Sequence, residues 1–279
     1  MSFAAEIKKL TYKFPQCDEP SLWNINLELG WNTRTLIVGS NGAGKSTLLK
    51  LLSGKNLCLT GHIRVNGLDP FSPHSMHQNE ADDCQITTYL GTEWCHMTII
   101  NRDIGVQELL DSVGFQHHRA RGEILIDILD VDVRWRMHRL SDGQKRRVQL
   151  TMGLLKPWRL LLLDEVTVDL DVVARSRLLT FLHQETCERR CSILYATHIF
   201  DGLAEWPDTV IHLCKGRIVR QLSYANDVKF DPAAPVQSVS LSPPSSDNSV
   251  TLGYAKSLHP LAVAWLTNDE FKTCGPGSN

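Results

Sequence analysis

An α/β fold with a parallel sheet is predicted from two short stretches and their order in the chain. The first joins the apolar run Leu36-Ile37-Val38 to a glycine-rich loop, Gly39-Ser40-Asn41-Gly42-Ala43-Gly44-Lys45-Ser46-Thr47, and then to the helical run Thr47-Leu48-Leu49-Lys50-Leu51-Leu52, with Gly54 near its end. Strand, loop and helix follow without a break. The second is Leu160-Leu161-Leu162-Leu163-Asp164-Glu165, four apolar residues ending in two carboxylates. It reads as a buried strand that delivers acids at its C-terminal end.

The glycine loop fits the pattern G-x-x-x-x-G-K-[ST] at every fixed position, in the context that pattern needs. Glycines let backbone wrap a phosphate without side-chain clash, and bare N–H groups at the helix start point at the anion. Gly39, Ser40, Asn41, Gly42, Ala43, Gly44, Lys45, Ser46 and Thr47 are therefore expected to bind ATP. Lys45 reaches the β- and γ-phosphates, and the Ser46 hydroxyl ligates Mg²⁺. Asp164 holds the same Mg²⁺, directly or through water, and Glu165 polarises the attacking water. His198, with Thr197, closes the apolar strand Ser192 to Ala196 at the sheet edge that carries Asp164, so it is read as a γ-phosphate contact. The fold class is then a P-loop NTPase core.

Composition bounds the rest. The chain has 279 residues, with 42% hydrophobic and 22% charged, ordinary for a soluble globular protein. A formal net charge of -2 gives no electrostatic case for nucleic acid. No apolar run approaches the roughly 18 residues that span a bilayer, and Met1 to Ile7 lacks the basic start and apolar core of a signal peptide. The eight cysteines are scattered without a C-x-x-C pair, and Cys95-His96 has no matching ligands elsewhere, so they read as thiols in a reducing compartment. The expected location is cytoplasmic, with the nucleus also open.

Taken in order, Ile7 to Phe14 alternates like a strand, and Leu22 to Leu29 alternates again after a polar turn from Pro15 to Pro20. An aromatic ring about 25 residues ahead of the glycine loop suits stacking on a nucleotide base; Phe14 is the first choice and Tyr12 the second. Gly61 to Gly67 is a short strand between glycines. Phe71 to Gln85, with Glu80, Asp82 and Asp83, reads as a solvated loop. Thr87 to Leu90 returns to strand character. Asp103 reads as a helix N-cap, with Val106, Leu109, Leu110 and Val113 on one face. Ile124, Leu125, Ile128 and Leu129 mark a second helix. Arg134, Arg136, Arg139, Lys145, Arg146 and Arg147 form a basic cluster around Leu140-Ser141-Asp142-Gly143-Gln144, read as phosphate-facing once the acidic strand is recognised. Val210 to Leu213 and Arg217 to Val219, joined by Lys215-Gly216, form a terminal hairpin. Asp231 to Ser249 shifts to Pro, Ser, Ala and Val, a linker composition. Leu258, Leu261 and Trp265 fall at helical spacing, in a helix too short to stand alone that must dock on its own domain or on a partner.

The glycine loop, Leu140-Ser141-Asp142-Gly143-Gln144 and LLLLDE, in this order, resemble the three motifs that define the ATP-binding-cassette ATPases, from about Ile7 to Val219. The resemblance implies a cassette with an antiparallel β subdomain and a helical insert, and a short C-terminal extension. It implies a head-to-tail homodimer in which Ser141, Gly143 and Gln144 of one copy close over ATP held by the other. Val168-Asp169-Leu170-Asp171 is similar to the loop linking the two sites, and His198 to the switch histidine. Two positions depart from the family. Asp142 stands where the signature has glycine, and is expected to pair with Arg139 or Arg146. Thr92 or Glu93 stands where a metal-sensing glutamine is usual; Glu93 is retained as an ATP-site contact. Narrower runs, among them Tyr89 to Met97 and Ser257 to Leu261, resemble small stand-alone cassettes of fungi and plants. The fungal form is described as associated with the Ccr–Not complex, which implies a protein partner there.

The domain plan is residues 1–222 for the ATPase domain with the helical insert at about 91–153, 223–250 for a flexible linker, and 251–279 for a tail with a short amphipathic helix. Three functions stay open: a dimeric ATPase that rearranges a protein partner, the ATPase subunit of a transporter whose membrane subunits are encoded separately, and an ATP-binding adaptor without turnover.

Overall fold

Leu160 to Leu163 are each buried on both faces of a sheet, as a parallel strand between helical layers requires. They belong to β6 (Trp158–Asp164) in the computed structural model. The structure describes residues 3–58, 60–72, 84–93, 102–231, 239–241, 250–253 and 257–273. Glu80, Asp82, Asp83 and the Cys95-His96 pair lie outside them.

The other elements are β1 (Ala5–Tyr12), β2 (Leu22–Leu29), β3 (Arg34–Val38), α1 (Lys45–Leu52), β4 (His62–Val65), β5 (Gln85–Leu90), α2 (Val106–Ser112), α3 (Arg119–Leu129), α4 (Asp142–Leu155), α5 (Val172–Glu188), β7 (Ser192–Ala196), β8 (Thr209–Cys214), β9 (Arg217–Ser223), α6 (Tyr224–Asp227), β10 (Val228–Asp231), β11 (Val239–Leu241), β12 (Val250–Gly253) and α7 (His259–Thr273). A six-stranded sheet has the order β5-β6-β7-β3-β8-β9. Every neighbouring pair is parallel except the β8–β9 hairpin. A separate antiparallel sheet, β2-β1-β4, is the subdomain the resemblance implies.

Two apolar clusters divide the interior. Leu48, Leu49, Leu51 and Leu52 of α1 pack with the small sheet and with Ile37, Leu160, Leu162 and Ile211. The opposite face of the large sheet packs against α2–α5 and α7. Because β3 sits between β7 and β8, the loop after it opens at the C-terminal edge of the sheet, where parallel strands leave a crevice.

Two local readings change, and the two alternatives for the tail helix narrow to one. The N-cap of α2 is Gly105, not Asp103; the Asp103 carboxylate is taken by Arg136 at 2.6 Å and His138 at 3.0 Å. Within 223–250, read as a linker, α6, β10 and β11 form, and β10 and β11 both pair with β12. Pro- and Ser-rich composition masked the β-branched residues Val228, Val239 and Val250, which suit a pleated surface. The tail helix α7 docks on its own domain: Leu258, Leu261, Ala262 and Trp265 are buried, Trp265 stacks on His212 of β8 at 4.6 Å, and His212 Nε2 meets Asp269 Oδ2 at 2.9 Å.

Candidate active site

The glycine loop is shaped by contacts only glycine permits. Gly42 and Gly44 have φ of 80° and 103°, in the left-handed region that L side chains avoid. A Cβ on Gly39 would fall 2.3 Å from the Leu213 carbonyl oxygen, and one on Gly44 would fall 2.7 Å from Leu22 Cδ2. The turn of the β8–β9 hairpin braces the loop from behind. Gly216 N–H donates to the Ala43 carbonyl at 2.9 Å, and Trp23 N–H to the Gly216 carbonyl at 2.8 Å. Asn41, Gly42 and Ser46 remain exposed beside it.

Gly44 caps α1, so Lys45 opens the helix. Lys45 Nζ donates to the Gly39 carbonyl at 2.8 Å and the Ser40 carbonyl at 3.1 Å, spanning the mouth of the loop. Burial lowers its pKa from the ordinary lysine value, opposed by the charges of Glu165 and Asp164. Ser46 Oγ donates to Asp164 Oδ1 at 3.0 Å, and the Tyr89 hydroxyl donates to Asp164 Oδ2 at 2.9 Å. Burial first, and the Asp164 charge second, push the Tyr89 pKa up, so the phenol stays a donor. A hydroxyl and a carboxylate are hard oxygen donors of the kind Mg²⁺ takes. Together with a loop that a Cβ would fill, they fit MgATP.

Glu165 follows β6 in the left-handed region at φ 57°, an unusual conformation for a non-glycine residue and one that tends to persist at functional positions. Its N–H donates to the Ala196 carbonyl at 3.0 Å, and Oε2 lies against His198 Nδ1. The sheet edge therefore gathers Lys45, Ser46, Asp164, Glu165 and His198. Thr92, Asp142, Arg146, Val168 and Asp169 line a cavity of about 350 Å³ with Glu165 and His198.

The remaining expected residues are placed as follows. Phe14 lies beyond the end of β1, edge-on to Tyr12 with ring centroids 5.0 Å apart. Tyr12 accepts from Ser21 N–H at 2.8 Å, and the Ser21 carbonyl is 2.9 Å from where a Gly44 Cβ would be. That path of backbone contacts brings the end of β1 to the flank of the loop. Ser141 caps α4: its Oγ accepts from Gln144 N–H at 3.3 Å and Gln144 Oε1 accepts from Ser141 N–H at 3.0 Å, a reciprocal capping box. Gly143 approaches the Asp169 carbonyl, 2.9 Å from where its Cβ would be. Among the described residues no hydrogen bond joins 141–144 to the loop 39–47 of the same chain. Thr47 is half-buried on α1. The Glu93 carboxylate is engaged by Lys50, one turn along α1 from Ser46, and that bond lowers its pKa.

Two pairings differ from expectation. Asp142 meets Lys145 at 3.9 Å, not Arg139 or Arg146; both Lys145 at i+3 and Arg146 at i+4 neighbour it on the helix, but Arg146 is buried and committed to Gly91, Gln149 and Asp169. The basic cluster mostly faces carboxylates of its own chain: Arg134 meets Asp132, Arg136 meets Asp103, Arg146 meets Asp169, and Arg147 bridges Asp130 and Asp171. The Arg146–Asp169 and Arg147–Asp171 pairs fasten α4 to the loop after β6. Tyr89 was missed at the sequence level, where its alternation with Thr88 and Leu90 signals a strand and nothing more.

Residues 22–168 match the ABC transporter family. CCR4-associated factor 16 of Saccharomyces cerevisiae is 63% identical over 275 residues, covering 96% of this chain and 95% of the relative. ABC transporter I family member 20 of Arabidopsis thaliana is 42% identical over 227 residues, covering 76% of this chain and 67% of the relative. Among solved structures, an ATP-binding subunit of an ABC transporter aligns with a TM-score of 0.65 at 20% identity, over 80% of this chain and 90% of its own. A dimeric post-hydrolysis ATP-binding cassette bound to ADP and Pi aligns with a TM-score of 0.62 at 18% identity, over 79% and 98%. The last two show the shared fold.

Proposed function

Because this chain belongs to the ATP-binding-cassette family, we propose that it is an ATPase that binds MgATP between two copies of itself and uses hydrolysis to rearrange a protein partner. The observation that carries this reading is the Glu165–His198 contact at the same sheet edge as the Ser46–Asp164 bond. Gly39 to Thr47 cradle the phosphates, and Phe14 stacks on the base. Lys45 leaves the loop carbonyls for the β- and γ-phosphates. Ser46 and Asp164 hold Mg²⁺, which when bound neutralises phosphate charge. Glu165 accepts the proton of the attacking water, and His198 orients Glu165 and contacts the γ-phosphate. Ser141, Gly143 and Gln144 of the second copy complete the site, in keeping with the absence, among the described residues, of a hydrogen bond from them to their own loop and with the dimeric state of one solved structure of the same fold.

The partner proposed is the Ccr–Not machinery, in the cytoplasm or nucleus, on the strength of the name carried by the yeast relative. The test is ATP hydrolysis by wild-type and Glu165→Gln protein across protein concentration. A rate per subunit that rises with concentration and is lost in the variant supports the reading. Equal phosphate release from both sinks turnover and leaves an ATP-binding adaptor, whereas co-purification with an integral membrane protein favours a transporter subunit.

A further inference from the structure

Asp164 is held at both carboxylate oxygens by two different elements. Ser46 of α1 donates to Oδ1 at 3.0 Å, and Tyr89 of β5 donates to Oδ2 at 2.9 Å. Tyr89 pairs in register with Leu162, two residues before Asp164, and side chains two apart on a strand share a face. The phenol therefore reaches the carboxylate along one face of the sheet. Its ring is fixed in two further ways. Lys55 Nζ sits 4.4 Å from the ring centroid. A Cβ at Gly91 would fall 2.6 Å from the Tyr89 hydroxyl, so glycine there leaves the room the ring occupies.

We propose that Tyr89 is a positioning residue for the metal: by holding Oδ2 it fixes the rotation of the Asp164 carboxylate, so that Oδ1 stays turned toward Ser46. The proposal rests on the reading of this edge as a MgATP site. Ser46 and Oδ1 are the oxygens that would serve the cation, and Tyr89 occupies the remaining one, so its bond has no need to break when the metal arrives. A carboxylate without that anchor rotates more freely, and its ordering is charged against metal binding. The role is kept apart from catalysis, since Tyr89 acts through Asp164.

The test uses full-length protein, with Tyr89→Phe keeping the ring and removing only the hydroxyl. Mn²⁺ is titrated in the presence of a non-hydrolysable ATP analogue and followed by electron paramagnetic resonance. Binding of a fluorescent ATP analogue is measured separately in EDTA. The expected result is a Mn²⁺ midpoint about tenfold higher in Tyr89→Phe, the lower end of what losing an outer-shell partner costs, with metal-free nucleotide binding and melting temperature unchanged. In an Asp164→Asn background the same substitution should add nothing. An unchanged or lower Mn²⁺ midpoint overturns the proposal, as does a lost melting temperature with Mn²⁺ affinity intact, which marks a packing role. If wild-type protein itself takes up no Mn²⁺ with the nucleotide, the MgATP reading fails first; if wild type binds and Tyr89→Phe matches it, only the role of Tyr89 fails.

Discussion

Ser46 and Asp164, 118 residues apart in sequence, share a 3.0 Å hydrogen bond, so one oxygen pair joins the first turn of α1 to the end of β6. Ser46→Ala removes one of the two oxygens and leaves Asp164 with Tyr89 alone. Mg²⁺ dependence of ATP binding should weaken by at least the roughly 10–100-fold that follows loss of an outer-shell partner. Isothermal titration with and without Mg²⁺ checks this; equal affinities in wild type and variant would remove Ser46 from the metal site.

Arg146 is buried, with 2% of its surface exposed. It donates to the Gly91 carbonyl at 3.0 Å and pairs with Asp169 at 3.3 Å. Arg146→Met takes that partner from Gly91, from Asp169 and from Gln149 Oε1; because Asp169 is exposed and Gly91 keeps Gln149 Nε2, the loss is about 1–3 kcal/mol, that of leaving a buried group unsatisfied. Denaturant unfolding measures it. A loss under about 1 kcal/mol would mean that water replaces the guanidinium.

Asp142 is open to solvent, and its partner Lys145 is distant at 3.9 Å. In the proposed dimer it faces the polyphosphate of the second copy, where like charges at about 4 Å cost on the order of 1 kcal/mol in water. Asp142→Gly should strengthen ATP-dependent dimerisation by about fivefold while lowering the melting temperature, since the acid in the first turn favours the helix. Light scattering with Glu165→Gln protein and ATP reads the first effect, and calorimetry the second.

Trp265 is buried, 2% exposed, and stacked on His212. Trp265→Ala opens a cavity worth about 3–5 kcal/mol beneath a helix that does not stand alone. The expected outcome is rapid proteolysis of α7 ahead of the rest of the chain. Unaltered proteolysis would show that the His212–Asp269 bond suffices.

Burial pushes the Cys191 thiol up to about 12. In the unfolded chain the thiol ionises near 9.0, its ordinary value. Between those values the unfolded state has released a proton that the folded state keeps, so stability falls as pH rises from about 9 to 12. Cys191→Ser should flatten that part of the stability–pH curve. At pH 8, iodoacetamide should label the exposed Cys17 and Cys187 and spare Cys191.

The strands that carry the site were legible because each is an apolar run ended by its chemistry: Leu36 to Val38 before Gly39, and Leu160 to Leu163 before Asp164. The helix of Leu258, Leu261 and Trp265 was legible as an amphipathic helix, but its docking face was not, since His212 enters the argument only when β8 lies beside β3. The arginines between 134 and 147 showed their charge but not their partners: Asp169 and Asp171 lie more than a helix away in sequence. Tyr89 was hidden for a related reason. On an edge strand an aromatic residue is ordinary, and only the register against Leu162 brings its hydroxyl to Asp164.

The position of β3 between β7 and β8 has a consequence for the chain as it is made. Thr33 and Ser192 are 159 residues apart, and Arg34 and Asp208 are 174. The wholly buried strand Arg34–Val38 thus leaves the ribosome without either neighbour. At about 5–20 residues per second it waits roughly ten to thirty seconds for them. Through that interval α1 has only the small sheet β2-β1-β4 to rest on, and the glycine loop has no brace from the β8–β9 turn. A nascent chain stalled before residue 209 should hold no ATP, and its exposed apolar strand is a natural substrate for chaperones.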